Sequence, residues 1–213
     1  RRASKGANVM NCHMVFTVKR KSDGTVDKFK CRLVAGGNTQ KYGVDFDRVF
    51  ATVVKLATVR TMLAIACAED YNLTQIDIRQ AYLYAPVDRE LYMRVPPGLP
   101  RQDAQGRPLV LKLLRSIYGL KQAAKLFNDL LVGFLVKWGF EQSTIDVCLF
   151  TYNVPVRKRL LAVIWVDDIV LADNDSNLRA KFVAELSEKF DIEDKGELEW
   201  VLGVKVNRKR KER

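Results

Sequence analysis

The segment LLAVIWVDDIVLADND at 160–175 constrains this chain more than any other. Seven apolar residues run straight into Asp167-Asp168, and the apolar character resumes with IVLA. Two adjacent charges inside a buried strand would be very costly. The cost falls if the chain reverses there. The segment is therefore expected to form a strand hairpin with the aspartate pair at its tip, where neighbouring residues escape strand alternation. A plain two-residue acidic turn fits the same pattern, because Asp favours turns.

A second segment bears on that choice. LTQIDIRQAYLY at 73–84 places a lone acid, Asp77, among Leu73, Ile76 and Ile78. An isolated carboxylate in an apolar strand wants a metal, a cation or a nest of hydrogen-bond donors. If the two strands are neighbours, Asp77, Asp167 and Asp168 gather in one place. Three carboxylates there repel one another and raise their own pKa values unless cations bind. Hard oxygen ligands in that number suit Mg²⁺, which keeps waters and takes substrate phosphates. Two such ions about 4 Å apart can activate a 3′-hydroxyl and stabilise a leaving pyrophosphate.

The residue inventory excludes the main alternatives. One histidine, His13, rules out any two-His metal site. The four cysteines, Cys12, Cys31, Cys67 and Cys148, contain no CxxC, so neither a zinc ribbon nor a thioredoxin motif is present. Cys67 and Cys148 sit in apolar runs as small hydrophobes, and all four are expected to be reduced thiols of an intracellular protein. There is no GxxxxGK[ST] loop and no GxGxxG. Phosphate chemistry must then rely on carboxylate-bound metal. The longest clean apolar run, 160–166, is far short of the ~20 residues a membrane helix needs, so no membrane association is expected. The opening RRASKGANVMNCH has no apolar core of a signal peptide, and it lacks an initiating Met, so a fragment of something longer is expected.

The net charge is +11, from 36 basic and 25 acidic residues. Arg1, Arg2, Lys5 and the run from Arg208 to Arg213 carry seven of those charges, leaving the body near +4. The runs read as solvated tails (1–13 and 207–213). Nucleic-acid affinity becomes the better reading only if the body holds a nucleic-acid site.

Along the chain, 14–20 reads as a strand, Asp23-Gly24 as a hairpin turn, and 26–35 as the returning strand. Lys28, Lys30 and Arg32 alternate with Phe29, Cys31 and Leu33, which puts the three bases on one face, either solvated or phosphate-binding. Residues 53–70 have helical spacing with a stripe of Leu56, Val59, Leu63 and Ala66. Strands are expected at 73–78, 90–95 and 109–114, and a proline-rich loop at 96–108. A helix with the stripe Leu126, Leu130, Phe134 and Trp138 stops at Gly139. CLFTYN and RLLAVIWV read as strands, Ser176 as the cap of a helix carrying Leu178, Phe182, Leu186 and Phe190, and 197–206 as a final strand. Helices and short strands interleave without a strict βαβ rhythm, so the expected class is α+β.

The set FKCRLVAGGNTQKYGVDFD, VVKLATVRTMLAIACAEDYNLTQIDIRQAYLY, ELYMRVPPG, LLRSIYGLKQA, IWVDDIVLA and KGELEWVLGVKV resembles the reverse transcriptase of copia-type LTR retrotransposons. The resemblance runs from about Val15 to Val206, in the family's order. It implies a right-hand polymerase fold, with fingers at about 14–70 and 86–118 and an antiparallel palm sheet backed by helices at about 71–85 and 119–206. It implies two Mg²⁺ ions, with Mn²⁺ as a substitute, on Asp77, Asp167 and Asp168, the last contributing more weakly. Tyr82 matches the aromatic position beneath the incoming sugar that disfavours a 2′-hydroxyl. Gly119, Lys121 and Gln122 match the segment lining the nucleotide and template pocket, and Lys30 and Arg32 match basic fingers residues on the triphosphate. The large aromatic and aliphatic stripes are then expected to serve mostly as core, not as base-stacking platforms. Implied partners are an RNA template, a DNA primer, a dNTP and the RNase H and integrase segments of a parent Pol polyprotein. The implied location is a cytoplasmic virus-like particle.

Three stretches depart from the family pattern. GGNTQ at 36–40 stands where KGFTQ is usual, QAAKLF at 122–127 where QAPRAW-like runs are usual, and APVDRE replaces an acidic stretch. None removes a metal ligand; they bear on template grip and fidelity. In the family a thumb and then RNase H follow the LGV strand, so the expectation is a domain fragment or a decayed copy, with weak, salt-dependent template binding. Two functions follow: an RNA-directed DNA polymerase module, or a catalytically silent remnant that binds nucleic acid or persists as a scaffold.

Overall fold

A computed structural model describes residues 4, 6–21, 23–155 and 158–210. Arg1, Arg2, Lys5, Lys211, Glu212 and Arg213 of the basic tails lie outside the described residues. In chain order the first elements are β1 (Val9–Met10), β2 (Cys12–Arg20), β3 (Val26–Ala35), α1 (Leu56–Ala68) and β4 (Asn72–Ile78). Next come β5 (Pro86–Arg94), β6 (Val110–Arg115), α2 (Ala123–Trp138), β7 (Glu141–Gln142) and β8 (Leu149–Val154). The last are β9 (Lys158–Trp165), β10 (Asp168–Asp173), α3 (Ser176–Lys189), β11 (Ile192–Glu197), β12 (Trp200–Val201) and β13 (Val204–Lys205). The class is mixed α+β, as expected, with three α-helices among the described residues.

The chain divides into two compact units. The first holds residues 1–51 and 82–129, the second 52–81 and 130–213. α1, inside the range the family resemblance gives to fingers, belongs to the second unit and packs on β10.

In the first unit, β2 and β3 pair antiparallel in regular register from Cys12↔Ala35 to Lys19↔Lys28. That regularity keeps Lys28, Lys30 and Arg32 on one face. Toward the hairpin turn the opposite face is exposed, Phe16 at 76% and Phe29 at 81%, while Leu33 near its base packs on the core. A three-stranded sheet β1-β5-β6 completes the unit. Its core gathers Met10, Ala35, Leu91, Met93, Leu113 and Leu120.

The second unit is built on a six-stranded, wholly antiparallel sheet ordered β11-β4-β10-β9-β8-β7. Alternation gives it two buried faces. Leu73, Leu161, Val163, Val170 and Ala172 form one cluster with Val59, Met62 and Ala66 of α1. The buried stripe of α1 is thus Val59, Met62 and Ala66; Leu56 is exposed and Leu63 only flanks it. The alternate set, including Ile76, Ala162, Ile164, Ile169 and Leu171, is buried as deeply, and α3 packs on β9 and β10. On α2 the deepest residues are Phe127, Leu131 and Leu135, one position along from the expected stripe. Phe134 and Trp138 make ring contacts with Phe182 of α3.

Three local expectations need correction. The N-cap of α3 is Asp175, whose carboxylate accepts from Leu178 N at 2.9 Å, not Ser176. Residues 197–206 are not one strand: Leu202 and Gly203 take positive φ and fold β12 back on β13. The run at 207–210 is not a solvated tail. Arg208 donates to the carbonyls of Tyr71 and Ala66 and pairs with Asp70 at 2.8 Å, while Arg210 donates to Asn72 Oδ1 at 2.8 Å. Carbonyls at a helix C-terminus lack intrahelical partners and carry partial negative charge, which suits a guanidinium. All four cysteines are free thiols, but Cys67 is exposed and only Cys148 behaves as a buried hydrophobe.

Candidate active site

β4 and β10 are adjacent and antiparallel, with Asp77 directly opposite Asp168. Asp168 also faces Trp165 across the β9–β10 hairpin. The hairpin loop is therefore Val166-Asp167, and Asp168 is already the first residue of β10; only Asp167 lies at the tip. Val166 has φ +59°, an uncommon conformation for a β-branched residue and one that strains the turn. The Asp167 carbonyl accepts from Ile78 N at 2.8 Å, which ties the turn to the end of β4. The three sequence-predicted carboxylates thus stand in one region of one sheet.

Their electrostatics are uneven. Burial raises the Asp167 pKa above the ordinary value of 3.8, and the charges of Asp77 and Asp168 add to the rise. Asp168 Oδ1 accepts from Gln75 Nε2 at 2.9 Å and from Lys195 Nζ at 3.0 Å. Lys195 Nζ also lies 3.5 Å from Asp77 Oδ1. Burial alone would lower the Lys195 pKa; the hydrogen bond and charge of Asp168, with Asp77, outweigh it and raise the pKa. A cavity of about 180 Å³ opens beside Asp168, lined by Gln75, Val163, Trp165, Val170 and Trp200 among others.

Among the described residues no group of three His, Cys, Asp or Glu side chains is arranged to hold a metal ion by itself. The donors nevertheless fit a hard divalent cation. They are carboxylate oxygens, they repel one another, and a cationic group already lies between two of them. Mg²⁺ needs only one or two protein carboxylates, since water and substrate phosphates complete its shell.

The remaining predicted residues belong to the first unit. Arg32 lies over the Tyr118 ring, 4.9 Å from its centroid, and Tyr82 meets the same ring edge-on at 5.0 Å. Lys30 is half-buried on the same strand face as Arg32. Lys121 sits over Phe46 at 4.7 Å. Gly119 has φ +88°, and a Cβ there would fall 2.2 Å from the Ala35 carbonyl oxygen, so only glycine fits against β3. Gln122 departs from the expected nucleotide contact. It is wholly buried, its Oε1 accepts from Gln40 Nε2 at 2.9 Å, and its Nε2 donates to the Asp45 carbonyl at 2.7 Å. Buried amides must satisfy their hydrogen bonds within the protein, and this one does so by bracing the Lys121 segment, whose N–H donates to Gln40 Oε1 at 2.7 Å.

Sequence reasoning missed Lys195 and Gln75. Gln75 was legible as the same-face neighbour of Asp77, two residues away on β4. Lys195 was not, because its place beside the aspartates depends on the pairing of β11 with β4.

The family model for reverse transcriptase (RNA-dependent DNA polymerase) matches residues 2–212. The chain belongs to the reverse transcriptase family. The copia-type resemblance carried by its motifs therefore stands. It is 33% identical over 209 residues to the retrovirus-related Pol polyprotein from transposon TNT 1-94 of Nicotiana tabacum, covering 98% of this chain and 16% of that protein. It is 33% identical over 201 residues to the Pol polyprotein from transposon RE1 of Arabidopsis thaliana, covering 94% and 13%. With the transposon Ty1-DR5 Gag-Pol polyprotein of Saccharomyces cerevisiae it shares 30% over 204 residues, covering 92% and 11%. The chain thus spans less than a fifth of the length of these relatives. No described helix is long and apolar enough to cross a membrane.

Proposed function

We propose that this chain is the RNA-directed DNA polymerase module of a retrotransposon Pol polyprotein, working on an RNA template, a DNA primer and dNTPs. The observation that carries the reading is the gathering of Asp77, Asp167 and Asp168 at the adjoining ends of β4 and the β9–β10 hairpin, where burial, with the charges of Asp77 and Asp168, raises the Asp167 pKa. In this reading the sheet unit is the palm and the unit with the β2–β3 hairpin is the fingers. Asp77 and Asp167 hold two divalent cations, and Asp168, whose Oδ1 is already engaged, contributes less. Bound cations would supply activation of the primer 3′-hydroxyl and neutralise charge on the leaving pyrophosphate. The 3′-oxygen forms a bond to the α-phosphorus of the dNTP, and the bond to the bridging oxygen breaks. Arg32 and Lys30 bind triphosphate oxygens, with Tyr118 fixing the Arg32 guanidinium plane. Lys121 adds charge to the nucleotide pocket, Tyr82 excludes a 2′-hydroxyl, and Gly119 and Gln122 shape that segment from behind. In the parent protein RNase H and integrase segments accompany the module, within a cytoplasmic virus-like particle.

The test is incorporation of dTTP on poly(rA)/oligo(dT) with Mg²⁺ at low salt, beside Asp167→Asn. Synthesis by the parent chain and none by the variant is expected. Template binding with no synthesis by either protein would favour a silent remnant instead.

A further inference from the structure

The edge strand β11 carries a feature that the polymerase reading does not use. Its register against β4 runs Glu193↔Asp77 and Asp194↔Ile76, then shifts to Glu197↔Thr74. Two residues, Lys195 and Gly196, therefore stand opposite the single residue Gln75. The register carried on from Glu193↔Asp77 puts Lys195 opposite Gln75, on the face that carries Gln75, Asp77 and Asp168, and the bulge ends the regular pairing just beyond it. The bulge is built rather than incidental: Gly196 has φ +75°, and its N–H donates to Asp194 Oδ1 at 2.8 Å. The Lys195 ammonium reaches Asp168 Oδ1 at 3.0 Å and Asp77 Oδ1 at 3.5 Å.

A divalent cation held by Asp77, with Asp168 contributing more weakly, would compete with the ammonium for those carboxylates. An ammonium and a metal ion cannot share them, because like charges at that separation repel strongly in a partly desolvated site. The Lys195 side chain is 37% exposed and sits at the sheet edge, so it has a way out to water. Resting on the metal-site reading above, we propose that Lys195 is a resident counter-cation: it pairs the carboxylates in the metal-free protein, leaves when a divalent cation binds, and so sets the metal concentration the site requires.

Linkage fixes the signs. Removing Lys195 leaves the metal-free carboxylates unpaired and costs the metal-bound protein nothing, so the variant loses metal-free stability and gains metal affinity by the same factor. The experiment is an Mn²⁺ titration of the full chain followed by electron paramagnetic resonance of free Mn²⁺, with thermal melting in chelator and in saturating Mn²⁺. The proteins are the parent, Lys195→Met, Arg79→Met and Asp77→Asn. Arg79 pairs with Asp191 and Glu193 near the same edge and serves as the control for a general loss of positive charge. Lys195→Met is expected to bind Mn²⁺ about threefold to tenfold more tightly, to melt lower in chelator and to match the parent in Mn²⁺. Arg79→Met is expected to change affinity by less than about twofold. Unchanged or weaker affinity in Lys195→Met, with binding still lost in Asp77→Asn, overturns the role of Lys195 and leaves the metal site standing. Equal tightening in Arg79→Met overturns it as well. No Asp77-dependent Mn²⁺ binding in parent or Lys195→Met overturns the metal site, and the role of Lys195 with it.

Discussion

Asp77 and Asp168 stand directly opposite each other across β4 and β10, two strands from segments far apart in the chain. A cross-strand pair of like charges is unfavourable, and nothing in sheet packing calls for one here. The pair is tolerated because Gln75 and Lys195 supply donors to it. A sheet that spends stability in this way has an electrostatic demand for positive charge at one end.

Asp77→Asn and Asp167→Asn each keep the side-chain shape and remove a charged ligand. Incorporation of dTTP is expected to fall by on the order of a thousandfold in either variant. Far-ultraviolet circular dichroism should match the parent, because neither carboxylate holds the strands together. A variant that keeps wild-type incorporation would exclude its residue from the reaction.

Asp167 gives a pH signature in chelator. Its pKa is raised in the folded chain by burial and by the neighbouring carboxylates, so its ionisation penalises the fold. The sign follows: the penalty is absent below the ordinary value of 3.8, grows as pH rises through the raised folded value, and is full at neutral pH. Asp167→Asn should therefore melt a few degrees higher than the parent at pH 7, and the gain should vanish as pH is lowered past that window. A gain that persists at pH 3 would contradict this account.

Asp146 shows the opposite sign. The N-cap residue of α1, Lys55, offers no side-chain cap. Asp146 serves instead, accepting from Lys55 N at 3.0 Å, from Thr58 Oγ1 at 2.5 Å and from Cys148 N at 3.0 Å. Burial works to raise its pKa, but these hydrogen bonds together outweigh it and hold the pKa below 3.8. Its contribution is present above 3.8 and lost as pH falls through the lowered folded value. Asp146→Ala is expected to cost about 1–3 kcal/mol at pH 7 in urea unfolding, with the difference from the parent shrinking below that range.

The parts of the fold set by local pattern were legible in the sequence. Alternation gave β3, the Asp23-Gly24 turn joined it to β2, and the apolar–DD–apolar break at 160–175 gave β9 and the hairpin. What escaped depends on partners distant in sequence. Whether the loop is Val166-Asp167 or Asp167-Asp168 is decided by cross-strand register, and a one-residue choice leaves no trace in composition. The α2 stripe was displaced by one residue because the apolar residues of this helix cover more than one narrow stripe, Leu126, Leu130 and Phe134 lying beside Phe127, Leu131 and Leu135. Lys195 lay in a nondescript acidic stretch, and only the pairing of β11 with β4 brings it to the aspartates. The bracing role of Gln122 did not show in the motif that matched it to the nucleotide and template pocket, because its partners, Gln40 and Asp45, come from a loop more than 70 residues earlier, at separations of 82 and 77.

The docking of Arg208 yields a last prediction, because charge runs near a chain end ordinarily contribute little. The Arg208 side chain is only 15% exposed, and three acceptors surround it: the carbonyls of Ala66 and Tyr71 and the carboxylate of Asp70. The two carbonyls lie where α1 ends and the chain turns toward β4, and Asp70 there has φ +55°. The guanidinium therefore satisfies backbone acceptors at the connection that leads into the strand bearing Asp77. Its ion pair with Asp70, whose side chain is half exposed, is the weaker part, worth under about 1 kcal/mol. Arg208→Ala is expected to cost about 2 kcal/mol by leaving those carbonyls without their charged donor. Asp70→Asn is expected to cost less than half as much, since the backbone contacts persist. Urea unfolding of the two single variants and the double variant checks the order. Equal costs for the two single variants would place the stabilisation in the ion pair and remove the helix-end role from Arg208.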